Sequence, residues 1–74
     1  MIRQWLRAEF EAYEEECQLA ARLHAVNAFE LCPVYAQSGR EGLRRTVVES
    51  LANVPAFAEF AGLIRQYGAT MINN

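Results

Sequence analysis

The sequence predicts an all-α fold: a long N-terminal helix followed by two shorter helices, arranged as a three-helix bundle and completed by dimerisation. Three observations lead there. Apolar side chains recur at spacings of three and four through most of the chain, the mark of a helix face. Only four glycines and two prolines interrupt it. Finally, every acid is Glu and, apart from a lone His, every base is Arg, with Lys and Asp absent. Arg and Glu are good helix formers, whereas Asp prefers caps and turns.

The first helix is expected from about Ile2 to Leu31. Its face is Leu6, Phe10, Tyr13, Cys17, Ala20, His24, Asn27 and Leu31, and a second stripe, Ala12, Leu19, Leu23 and Val26, broadens it. The glutamates at 9, 11, 14, 15 and 16 fall on the remaining surface. Pro33 is read as the terminator, because the residue before a proline is pushed out of the α region. Pro33 to Gln37 then form a connector, and Ser38-Gly39-Arg40-Glu41 matches the S-x-x-E capping box.

A second helix therefore starts near Gly39, with Leu43, Val47, Leu51 and Val54 on its buried side. Asn53-Val54-Pro55 marks the next break. A third helix follows from about Val54 to Tyr67, with Phe57, Phe60, Ile64, Tyr67 and Met71 as a core or dimer seam and Gly68 as its C-cap. In the tail, Met71 and Ile72 suggest packing.

Length makes association the expected way to complete this fold. The 74 residues (8.4 kDa) form one domain, 1–74. A folded monomer of that mass exposes roughly 4,600 Å² and buries only about 60% of its unfolded surface. A first helix near 45 Å would outrun two partners of about 21 Å each, leaving part of its apolar stripe without a neighbour. The third helix is apolar on too many sides for a monomer to cover. The expected partners are a second copy of the chain (homodimer or higher) and another protein.

The chain carries little sign of catalysis. It has no Asp, no Lys, one His and no Gly-rich phosphate loop, so the expectation is a non-enzymatic protein without a cofactor. The functional reading is a small interaction module: a regulator, adaptor or inhibitor. Ile2, Trp5, Leu6, Phe10 and Tyr13 are its candidate partner-binding residues, since Trp and flanking Arg are typical of binding hot spots. Arg40, Arg44 and Arg45 form a basic patch, expected to pair with glutamates of the first helix or of a partner.

Two alternatives use other residues. A dimeric DNA-binding regulator would use that basic patch. A net charge of −2 and a proline at the second helix junction argue against nucleic acid. A metal- or haem-responsive protein would use Cys17, His24 or Cys32, the last within a Cys-Pro dipeptide. On one continuous helix the two cysteines would stand about 22 Å apart, beyond disulfide reach. Free thiols and no export signal then point to the cytoplasm, and no apolar run reaches the roughly 18 residues of a membrane span.

Overall fold

The computed structural model describes residues 1–25 and 30–71, of which 85% are helical, with no strand among them. Three helices form a bundle: α1 (Ile2–Arg22), α2 (Cys32–Ala52) and α3 (Ala61–Ala69), with a 3-10 segment, Pro55–Phe60, leading into α3.

The first helix stops well short of Leu31, and its end has a local cause. Leu23 is the C-cap and His24 turns left-handed at φ 55°. The His24 amide donates to the Ala21 carbonyl at 3.2 Å and the Ala25 amide to the Ala20 carbonyl at 2.8 Å. That pair of bonds is the Schellman motif, which satisfies the last carbonyls of a helix and turns the chain away. Glycine normally holds the left-handed position, but His is among the few side chains enriched there. So His24 is an exposed terminator of α1, not a member of its buried face. Val26 and Asn27, which the sequence placed on this helix, lie outside the described residues, as does Ile72.

Pro33 begins a helix where it was expected to end one. It occupies the first turn of α2, where a missing amide costs nothing and φ is already helical. The predicted connector is therefore helical too. Gly39 interrupts α2 at φ 68°, ψ −159°, a backbone region open essentially only to glycine. The predicted helix start near Gly39 coincides with this break, although Glu41 turns to Arg44. The bend there is sharp. Cys32 and Ser50 line one cavity, whereas on a straight helix they would stand about 27 Å apart.

Val54 is extended, as the residue before Pro55 should be, and the chain turns by 108° from α2 into the Pro55–Ala69 stretch. The predicted third helix is thus 3-10 in its first half. Three residues per turn put Phe57 and Phe60 on the same side of that segment.

The main core comprises Leu6 and Phe10 of α1, Leu43, Val47, Val48 and Ala52 of α2, Ile64 of α3, and Met71. Gly68 belongs to this packing and does not cap α3, whose C-cap is Thr70. A Cβ at position 68 would overlap the Val48 side chain, so a glycine here lets α3 sit directly on α2. A second, smaller cluster of Cys17, Ala20 and Cys32, with Tyr35 against it, closes the other end. Ala12, Leu19 and Leu23, expected to widen the buried face of α1, are exposed.

Candidate interaction surface

The start of α1 does not project from the fold. The Trp5 ring meets Phe57 edge-on with centroids 5.2 Å apart. The Arg3 guanidinium lies 4.8 Å over the Tyr67 ring, and Arg7 Nη2 donates to the Met71 carbonyl at 2.9 Å. These contacts bind α1 to the 3-10 segment and α3, and between them they leave an apolar cleft.

Ile2, Trp5, Phe57, Phe60 and Ile64 line the cleft, which measures about 180 Å³. Cavities near 150 Å³ admit a benzene ring, so the space suits one aromatic side chain. Phe60 stands at its edge, 44% exposed, and Leu63 nearby is 38% exposed. Ile2, Trp5 and Phe57 are half-buried, so each presents part of its apolar surface to the cleft.

The candidate partner-binding residues therefore divide. Ile2 and Trp5 reach the cleft. Leu6 and Phe10, one and two turns further on, are entirely inside the core and offer nothing to a partner. Tyr13 is half-buried and lines a different cavity, beside Cys32. Of the seam residues, Ile64 and Met71 are core, Phe57 and Tyr67 are half-buried, and Phe60 faces out.

The basic patch is largely spent inside the chain. Arg40 Nε donates to Glu14 Oε2 of α1 at 2.8 Å, and its guanidinium lies over the Phe10 ring. Tyr35 Oη donates to the same carboxylate oxygen at 3.2 Å. Arg44 forms a two-pronged pair with Glu41 and donates to the Gly68 carbonyl at 2.8 Å, tying α2 to α3. Hydrogen bonding from Arg44 holds the Glu41 carboxyl below the usual carboxylate range and raises the arginine in turn. Arg65 does the same for Glu49 across the α2–α3 junction. Arg45 is exposed.

Cys17 and Cys32 are joined in a disulfide, with Cα atoms 5.0 Å apart. The expectation of two free thiols fails because α1 ends after Arg22, and the chain reverses to bring the first residue of α2 back against it. With both sulfurs bonded to each other, neither is a thiolate ligand for metal or haem in this form. The cytoplasmic assignment loses its footing as well, since it assumed free thiols. No single described helix is long and apolar enough to cross a membrane. Two cysteines in the chain and Pro33 one residue after Cys32 were the available signals: a proline suits a first helical turn as readily as it stops one.

Comparison with known protein families, curated proteins and solved structures gives no significant match.

Proposed function

We propose that this protein is a small, non-enzymatic helical interaction module that associates with itself and docks on another protein through the cleft between α1 and the Pro55–Phe60 segment. The observation that supports this is the make-up of the cleft: five apolar or aromatic side chains line it, Trp5 and Phe57 in edge-on contact among them and Phe60 44% exposed. Aromatic anchors beside a dry pocket are the usual source of binding energy at protein interfaces. A two-fold contact would seat the Phe60 of each copy in the cleft of the other, the self-complementary arrangement of a closed dimer.

The total exposed surface, 4993 Å², exceeds the roughly 4,600 Å² expected for this mass by less than the ~800 Å² each partner loses in a standard interface. Support therefore comes from where the apolar atoms gather, not from their total. The spent basic patch favours protein over nucleic acid as the partner. The disulfide favours an oxidising compartment, or a bond made and broken with redox conditions, over permanent residence in a reducing cytoplasm.

Sedimentation equilibrium tests the proposal. At about 50 µM, where a micromolar contact is mostly formed, the chain should sediment near twice its 8.4 kDa. Phe60→Glu should return it to the monomer mass with unchanged helical circular dichroism. A wild-type chain that stays at the monomer mass refutes self-association.

A further inference from the structure

The two buried clusters are unequal in a way that assigns a role to the disulfide. Among the described residues the main core holds eight buried ones, seven from the three helices and Met71 just beyond α3, with aromatic and aliphatic side chains packed around it. Among the described residues the second cluster is Cys17, Ala20 and Cys32, with the half-buried Tyr35 ring against it. Among the described residues, the Ala20 methyl and the Tyr35 ring are the apolar packing beside the sulfur bridge in this cluster, and Leu31 and Tyr35 also touch the main core. The polar ties among the described residues run through Tyr35 and Glu14: Gln18 Nε2 donates to Tyr35 Oη at 3.3 Å, Tyr35 Oη to Glu14 at 3.2 Å, and Arg40 Nε to the same carboxylate at 2.8 Å. Leu19 and Leu23, in the last turns of α1, are 50% and 66% exposed.

We infer that the Cys17–Cys32 bond is a reversible clasp: reducing it releases the Cys17–Leu23 end of α1 and the Cys32–Tyr35 turn of α2 while the main core stays folded. Two thiols cannot remain at bonding distance and must separate to van der Waals contact, and the cluster formed here by the described residues is small. The reductant is a dithiol. Its thiolate attacks one cysteine sulfur and the other leaves as a thiolate. The second thiol of the reagent then displaces the mixed disulfide, so that two electrons and two protons reach the cysteines and the reagent becomes a disulfide. Both cysteines are only 2% exposed, so the reagent attacks as this end opens locally. Cys32 lines a cavity of about 280 Å³ with Tyr13, Glu16, Glu30, Leu31 and Ser50. The clasp is independent of the cleft proposed above, because Trp5 and Cys17 are about 18 Å apart along α1.

Amide hydrogen exchange of the full chain, oxidised and then reduced with dithiothreitol without denaturant, tests this. Amides of Cys17–Leu23 and Cys32–Tyr35 should exchange on the order of a hundredfold faster after reduction, the factor expected when a 15-residue loop loses its cross-link. Amides of Leu43–Val48 should remain at least about a hundredfold slower than those of the clasp region after reduction, since local opening leaves the core folded. The Cys17→Ser/Cys32→Ser variant should match the reduced wild type in both regions. A bond that resists dithiothreitol, a clasp region that does not speed up by at least about tenfold, or core amides that exchange as fast as the clasp region after reduction each overturns the inference. The last would make the disulfide a staple for the whole fold.

Discussion

Replacing Gly68 by Ala sets two effects of opposite sign against each other. Within a helix, alanine is favoured over glycine by about 1 kcal/mol. Gly68 lies inside α3 and its backbone is not left-handed, so local preference predicts a more stable protein. Tertiary packing predicts the reverse. The added methyl would overlap both γ-methyls of Val48, itself only 4% exposed. Overpacking of this kind costs about 1–3 kcal/mol. Nor can α3 easily retreat, because the Gly68 carbonyl accepts a 2.8 Å hydrogen bond from Arg44. The expected balance is a net loss centred on about 1 kcal/mol and reaching about 2, since the clash exceeds the propensity gain over most of its range. For 74 residues the unfolding entropy is about 155 cal/mol/K, so Tm should fall by about 6 °C, and by no more than about 13 °C. Val48→Ala alone should cost about 2 kcal/mol for its two lost methyls. In the double variant the new methyl fills the vacated space, so the combined loss should fall short of the sum by at least about 1 kcal/mol. Thermal and urea unfolding followed by far-ultraviolet circular dichroism measures all four proteins. A Gly68→Ala protein that melts at or above the wild type, or losses that simply add, would refute the packing argument.

Other expectations rest on different parts of the fold. Gly39→Ala should cost about 1–3 kcal/mol through backbone strain alone, since no neighbour stands near a Cβ there; unchanged urea unfolding would show that the bend relaxes freely. His24→Gly should leave stability equal or raise it by up to about 1 kcal/mol, because glycine carries no left-handed penalty, and a lower Tm would show that the imidazole contributes more than its backbone angle. Ile64→Arg places an unpaired charge at a fully buried site and should abolish cooperative unfolding; an unaltered melting curve would remove Ile64 from the core. Glu41 and Glu49 have carboxyls lowered by arginine partners, so their contribution is complete above the unfolded-state value near 4.3 and is lost as pH falls through their lower folded values. Stability of Glu41→Gln and Glu49→Gln should accordingly converge with the wild type only in acid, as urea midpoints across pH 2–7 (roughly the span of carboxylate titration) would show.

How much of this was legible beforehand varied by element. Helix type, the break at Pro55 and the core positions Leu43, Val47 and Ile64 followed from spacing alone. The candidate surface was half legible. Ile2, Trp5, Leu6 and Phe10 share one run of apolar sequence, yet Trp5 lies at the edge of a cleft while Leu6 and Phe10 face α2. The end of α1 was hidden because a histidine does the work that glycine usually announces, and the same three-four pattern continued formally through His24 to Leu31. Gly68 was read as a cap because a glycine near a helix end usually is one; only the nearness of Val48 gives it another purpose.

The sequence by itself determined that this is a helical chain whose charged residues are arginines and glutamates and whose apolar residues fall in stripes. Propensity, proline geometry and periodicity act within a turn or two of backbone, so they can be read locally. The tertiary structure decided that Cys17 meets Cys32, that Arg40 meets Glu14, and which aromatic rings are sealed inside and which line the cleft. Those outcomes depend on what lies opposite each side chain in space, and that is set only when the chain reverses after α1 and bends at Gly39.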